Sequence, residues 1–239
     1  MIQITYIFHS GFLAETARCY YLFDYYKGTL PELDIEKPIL VFASHSHADH
    51  YNPEIFYMLR SMGMKNITAI LAKDIPRKRY PDCLAPADAD ADNSSTEKNL
   101  IPVIKAYHSQ EYSLPCHTHL QTLLSTDSGV AFFLTCPEGT IYHAGDLNDW
   151  ITGDMPQQER KQMTGSYRAS IAKLKDKTID IAFLPLDPGL REYYANGFLY
   201  FLQNVKVKRA YPMHYWGQPE IIGQFLDEHP EYAEIVCNL

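Results

Sequence analysis

The sequence predicts an α/β (α+β) protein built from two packed β-sheets flanked by helices. Its first part is a succession of short β-branched and aromatic runs broken by turn residues. After Asp146, helical periodicity alternates with short buried-strand patterns. No linker-like stretch divides the 239 residues, so 1–239 is expected to form a single domain, which is long enough for one sizeable core. Strands followed by alternating helices and strands fit sheets packed face to face with helices outside them.

Taken in order, Ile2 to Phe8 and Cys19 to Tyr25 are dense in β-formers with Gly11 between them, and predict an early hairpin. Pro38 to Ala43 is a short apolar run ending at Ser44, as in a strand buried on both faces. Pro53 opens a helix carrying Ile55, Phe56, Met58 and Leu59, with Asn52 as its cap. Ile67 to Ala72 reads as a strand. Pro81 to Asn99 reads as a loop rich in small and acidic residues. Within it Asp88, Asp90 and Asp92 begin like a calcium loop, but Asn93 replaces the needed glycine and Asn99 the needed glutamate, which favours a solvated acidic loop.

Strands are expected again at Ile101 to Tyr107, His119 to Leu124, Gly129 to Thr135 and Thr140 to His143, the last two joined by a Pro137-Glu138-Gly139 turn. Gln157 to Leu174 reads as helix, Ile179 to Leu184 as a buried strand, and Leu190 to Val205 as helix. Arg209 to Pro212 leads to His214, Glu220 to Glu228 is helical, and Glu234 to Val236 forms a short last strand.

Hydrophobic residues make up 46% and charged residues 21%, which fits a folded globular chain and not a disordered one. Lys and Arg number 21 against 29 Asp and Glu, a net charge of -8 that disfavours a nucleic-acid partner. No run approaches the ~18 apolar residues of a membrane helix. The N-terminus lacks a basic region followed by a long apolar one, and the five cysteines are odd in number without CxxC spacing. A reducing, cytoplasmic setting is therefore expected.

The chemistry lies in His45-Ser46-His47-Ala48-Asp49-His50, directly after the predicted buried strand. His45 and His47 are two apart, so on extended backbone they point the same way. So many ligand side chains in so short a loop suit two neighbouring metals, one on His45 and His47 and one on Asp49 and His50. Imidazole and carboxylate are ordinary ligands for Zn²⁺, the expected ion in one or two copies, and also suit Mn²⁺ or Fe. The remaining ligands must come from other strand ends. Asp146 follows Tyr142-His143-Ala144-Gly145 and could bridge two cations. His214, in Pro212-Met213-His214-Tyr215-Trp216, also follows an apolar strand.

The order His-x-His-x-Asp-His, then Gly-Asp, then a late His resembles the metallo-β-lactamase-fold hydrolase superfamily over roughly Ile4 to Leu226. It is most similar to the lactonase-like and N-acyl-phosphatidylethanolamine phospholipase D-like branch, through His9 in Phe8-His9-Ser10-Gly11-Phe12 and the following Asp24. The resemblance implies a four-layer αββα sandwich with the site at one edge of the sheets. It implies His45 and His47 on a first metal, Asp49, His50 and His214 on a second, and Asp146 bridging. One departure stands out. The family places a further His in a Gly-His-Ser or Gly-His-Thr turn about twenty residues before Gly-Asp, and here Ser125 falls at that place. Asp127 is the nearest anionic substitute, with His108, His117 and His119 farther off in register.

Asp187 before Pro188 reads either as a pocket residue or as a turn former. His9 and His143 are expected to support the ligands or touch substrate. Tyr193, Tyr194, Tyr215 and Trp216 read as an aromatic rim or as packing. The expected function is hydrolysis of a small lactone, ester or phosphodiester by a metal-bound hydroxide, with Asp49 and Asp146 as the catalytic carboxylates. The alternative is a non-catalytic metal-binding or sensory protein whose first site is degenerate at Ser125. The expected partner is a small-molecule substrate; the sequence is compatible with a dimer but does not fix the oligomeric state.

Overall fold

The computed structural model describes residues 2–85 and 100–238. The acidic stretch holding Asp88, Asp90 and Asp92 lies outside the described residues. One sheet holds, side by side in sequence order, β1 (Gln3–Phe8), β2 (Gly11–Glu15), β3 (Tyr20–Phe23), β4 (Ile39–Ala43), β5 (Ile67–Ala72) and β6 (Val103–Ala106). The other holds β7 (Glu111–Leu114), β8 (Thr118–Leu124), β9 (Val130–Cys136), β10 (Gly139–His143), β11 (Thr178–Pro185) and β12 (Lys206–Met213). The β1–β2–β3 and β7–β10 neighbours are antiparallel; β3 to β6 and β10 to β12 run parallel.

Parallel strands need crossovers. Helix α1 (Glu54–Ser61) lies between β4 and β5, α2 (Gln157–Ile171) between β10 and β11, α3 (Asn196–Asn204) between β11 and β12, and α4 (Glu220–Glu228) follows β12. Covered on both faces, β4 and β5 are buried at every residue, which explains their unbroken apolar sequences. The two sheets meet through interleaved aromatics, Phe12 on Phe183 at 4.3 Å and Phe42 on Phe132 at 5.2 Å between ring centres. Side chains alternate along β10: His143 faces inward, stacked on Phe23 at 5.0 Å, while Tyr142 faces outward onto Phe201 of α3 at 5.0 Å. This is the four-layer αββα arrangement of the metallo-β-lactamase fold. Among the described residues, no helix is long and apolar enough to cross a membrane.

Most predicted elements are present, with four corrections. The hairpin partner of β1 is Gly11–Glu15, not Cys19–Tyr25, because the chain reverses within His9-Ser10, where His9 takes a left-handed φ of 59°. Glu111–Leu114 is an edge strand of 4 residues, buried only at Leu114, too short for its alternation to stand out. Leu190 to Val205 is not one helix; a 3₁₀ segment over Pro188–Tyr193, kinked at Arg191 (φ 54°, ψ −121°), precedes α3, which begins only at Asn196. The last predicted strand is only a single bridge from Val236 to Ala210. The α1 cap is as expected in chemistry, the Asn52 side chain accepting the Glu54 amide at 3.0 Å.

Candidate metal centre

The ends of β3, β4, β10, β11 and β12 and the β1–β2 turn converge at one edge of the sandwich, where Asp24, His45 to His50, Asp146, Asp187, His214 and His9 are found. Chain ends approach one another closely there. A Cβ on Gly129, at φ +67°, would lie 1.9 Å from the Ser44 carbonyl oxygen. One on Gly145, at φ +51°, would lie 2.7 Å from Ser44 Cβ. Only glycine lets the β8–β9 turn and the β10 end touch the histidine loop.

Two groups of ligand atoms result, each with all its atoms within 4.8 Å of one another. One comprises His45, His47, Asp127 and Asp146; the other comprises His9, Asp49, His50 and His214. Asp146 stands between them. Its Oδ2 is 3.2 Å from His45 Nε2, and its Oδ1 is 3.1 Å from His50 Nε2 and 3.6 Å from His214 Nε2. In the second group, Asp49 Oδ2 is 3.4 Å from His9 Nε2 and 3.8 Å from His50 Nε2.

The imidazoles are held from behind. His50 Nδ1 bonds Asp24 Oδ2 at 2.7 Å, and His214 Nδ1 bonds Asp187 Oδ2 at 2.8 Å. Asp24 also accepts the Ser44 amide at 2.7 Å and the Ser44 hydroxyl at 2.6 Å, and Ser44 Oγ lies 3.0 Å from His45 Nδ1. Such partners orient a ligating ring and fix its tautomer. Asp187 also accepts the Gly189 amide at 2.7 Å, so it both forms the turn and supports His214. His143 is buried in the wall: its Nε2–H donates to the Ser10 carbonyl at 2.9 Å and its Nδ1 accepts the Gly145 amide at 3.1 Å. Burial holds its pKa below the ordinary value, which fits that neutral tautomer.

The Ser125 turn does not reach the ligand groups through Ser125. Ser125 Oγ accepts the Asp127 amide at 3.3 Å, and Thr126 Oγ1 donates to the Asn148 carbonyl at 2.6 Å. The turn is thereby fixed with Asp127 Oδ2 3.8 Å from His47 Nδ1. His119 instead lies 3.5 Å from Glu111 on the exposed β7–β8 pair.

The site's electrostatics favour a cation. His9 Nε2, His45 Nε2, His50 Nε2 and Asp146 Oδ1 are buried without a well-aligned hydrogen bond, and their nearest polar neighbours are one another or Asp49. Leaving a buried polar atom unpaired costs about 1–3 kcal/mol, and ligation by divalent ions would satisfy all of these atoms. Burial opposes ionisation of Asp146 and Asp49, but the surrounding histidines outweigh it and hold both carboxyls below the usual range. Burial also opposes charging of His50, yet Asp146 and Asp24 push it up to about 10. In the metal-free site a proton on His50 thus balances charge that an ion would otherwise balance.

The predicted aromatic rim is smaller than expected. Tyr194 and Tyr215 are buried, Tyr194 donating to Glu228 at 2.6 Å and Tyr215 stacking on Tyr6 at 5.6 Å. Trp216 does sit at the mouth, 49% exposed and 4.1 Å from the His9 ring. Trp150, which the sequence does not single out, lies 5.2 Å from the His214 ring and donates to the Asp146 carbonyl at 2.7 Å. The position of His9 among the ligand atoms themselves is the main feature the sequence pattern does not reveal.

No protein-family model matches the chain, and no curated protein matches it in sequence. Solved structures share its fold. Igni18, a metallo hydrolase from Ignicoccus hospitalis, superposes with a TM-score of 0.65 at 16% identity, over 100% of this chain and 94% of that one. YhfI, a metallo-β-lactamase-fold protein from Bacillus subtilis, gives 0.56 at 10% identity, over 99% and 96%. CmlA, a diiron β-hydroxylase from Streptomyces venezuelae, gives 0.61 at 12% identity, over 100% of this chain and 52% of that one.

Proposed function

We propose that this chain is a metal-dependent hydrolase acting as one catalytic domain on a small lactone, ester or phosphodiester. The observation that carries this reading is the pair of facing His/Asp groups, with Asp146 presenting one oxygen to each. His45, His47 and Asp127 would hold one ion, Asp49, His50 and His214 a second, and Asp146 both. Divalent ions held there supply Lewis acidity and lower the pKa of bound water toward ~7. Asp24, Ser44 and Asp187 keep the imidazoles in register. Asp49, ionised at neutral pH, would hold the second ion through one carboxylate oxygen, and with the other would take a proton from the attacking water and return it to the leaving oxygen.

Asp127 favours a complete first site over a degenerate, merely sensory one, because its carboxylate stands beside His47 where Ser125 offers no ligand. A net charge of -8 favours a small substrate over nucleic acid, and the five unpaired cysteines fit a reducing cytoplasm. The lactonase-like and phospholipase D-like branch remains the preferred source of substrate classes, on the His9 and Asp24 pattern.

The test is hydrolysis of lactone, ester and phosphodiester panels by metal-free protein, before and after adding Zn²⁺, Mn²⁺ or Fe²⁺. Turnover is expected only after addition, with Asp49→Asn slowing it by about 10²–10⁴. Full-rate hydrolysis by the metal-free protein contradicts the reading. A second reading is oxidation at two irons, favoured by the oxygen-rich His45, His47, Asp127, Asp146 group, since carboxylate ligands suit Fe and Mn. Oxygen consumption by the iron-loaded protein, without hydrolysis of any panel member, would select it.

A further inference from the structure

The two ligand groups differ in a way that centres on His9. His9 is fully buried; neither ring nitrogen makes a well-aligned hydrogen bond, and the nearest acceptor is Asp49 Oδ2 at 3.4 Å from Nε2. A buried histidine kept only for packing would satisfy at least one of them. The residue is held by other means. Its amide donates to the Tyr6 hydroxyl at 2.8 Å, and its carbonyl accepts the His214 amide at 3.4 Å. Its ring abuts that of His214 at 4.2 Å and that of Trp216 at 4.1 Å, which themselves meet at 5.4 Å. This clamp leaves Nε2 3.4 Å from Asp49 Oδ2, within the same group of atoms as His50 and His214.

We propose that His9 is itself a metal ligand and completes the protein shell of the inner ion with Asp49, His50 and His214. The inner ion is then a closed, tightly held one, and the outer ion is the exchangeable one that meets substrate. This assignment rests on the metal-dependent reading above. With Asp146 counted for both, the inner ion would have five protein ligands against four for the outer one, and the fuller shell leaves less room for exchange. Three members of the inner group are buried and its aspartate is only half-buried. The outer group ends in two half-exposed side chains, His47 at 52% and Asp127 at 48%. Its ligands therefore have solvent on one side, where an ion can leave and a substrate can arrive. The inner group has Trp216 laid over His9 instead.

The test counts retained metal. Wild type, Asp127→Asn and His9→Asn are loaded with Zn²⁺, dialysed against a weak chelator, and assayed for zinc by atomic emission. His9 has a left-handed backbone, which Asn and Gly tolerate, and folding of the metal-free variants is checked by circular dichroism. Wild type and Asp127→Asn are expected to retain one equivalent. His9→Asn is expected to lose it, with zinc affinity at that site lowered about tenfold or more. His9→Gly should lose it likewise and regain it with free imidazole, a rescue that a merely structural role would not give. If folded His9→Asn and His9→Gly retain zinc as wild type does, His9 is not a ligand, although the two-ion reading stands. If wild type binds no zinc, manganese or iron at all, the metal-dependent reading falls and this assignment with it.

Discussion

Asp24 Oδ2 lies 2.7 Å from His50 Nδ1, and neither side chain has any exposed surface. The same oxygen receives the Ser44 hydroxyl at 2.6 Å. One buried carboxylate therefore fixes both the histidine loop and one of its rings. Asp24→Asn removes the charge and turns one acceptor into a donor facing two donors. It is expected to lower stability by about 3 kcal/mol and metal affinity about 10–100-fold, read by denaturant unfolding and competitive metal titration. Unchanged metal affinity would show that Asp24 only packs.

Gly129 is expected to tolerate no side chain, since a Cβ there falls 1.9 Å from the Ser44 carbonyl oxygen and its φ is +67°. Gly129→Ala should destabilise by more than about 3 kcal/mol, combining left-handed strain with the displaced contact. Because the obstructed neighbour is Ser44–His45, metal retention should fall with it. Thermal unfolding and metal content check both; a neutral substitution would mean that the turn and loop are not in contact.

The stability of the metal-free protein should depend on pH through His50. Burial disfavours its charged form, but Asp146 and Asp24 outweigh this and raise its pKa from 6.5 to about 10. A folded-state pKa above the unfolded value stabilises fully below the unfolded pKa, and that stabilisation is lost as pH rises through the folded pKa. The urea midpoint should therefore fall between about pH 6.5 and pH 10, and His50→Gln should flatten that decline. Saturating metal should flatten it too, because the ion replaces the proton. A midpoint that stays level in the metal-free wild type contradicts this.

The chain's two tryptophans both border the site, Trp216 at 4.1 Å from His9 and Trp150 at 5.2 Å from His214. Metal loading should alter intrinsic fluorescence. With Trp150→Phe the remaining signal comes from Trp216, and it should follow the inner ion by saturating at the first equivalent. A signal from this variant that develops only with the second equivalent would contradict the order of filling.

Much of the site is legible in the sequence because it is local. His45 to His50 is contiguous and sits after an apolar run, and Asp146 and His214 each end another such run. Asp127 is within reach of inference because Ser125 marks where a ligand is needed. His9 is not legible as a candidate ligand. Its place depends on a two-residue reversal between β1 and β2 and on a ring clamped by His214 and Trp216, more than 200 positions away in the chain. β2 escapes pattern reading because Gly-Phe-Leu-Ala-Glu lacks apolar alternation, and β7 because Glu-Tyr-Ser-Leu, though alternating, is only 4 residues long. The kink at Arg191 inside the 3₁₀ segment escapes because helical periodicity carries no record of a single positive φ.

The most direct test of the central claim is a crystal structure of the metal-loaded protein with anomalous scattering recorded at the metal edge. Two peaks are predicted, one among His45, His47 and Asp127 and one among His9, Asp49, His50 and His214, with Asp146 between them. A fully loaded crystal with no peak at this edge of the sandwich, or with a single peak that leaves either group empty, would contradict it.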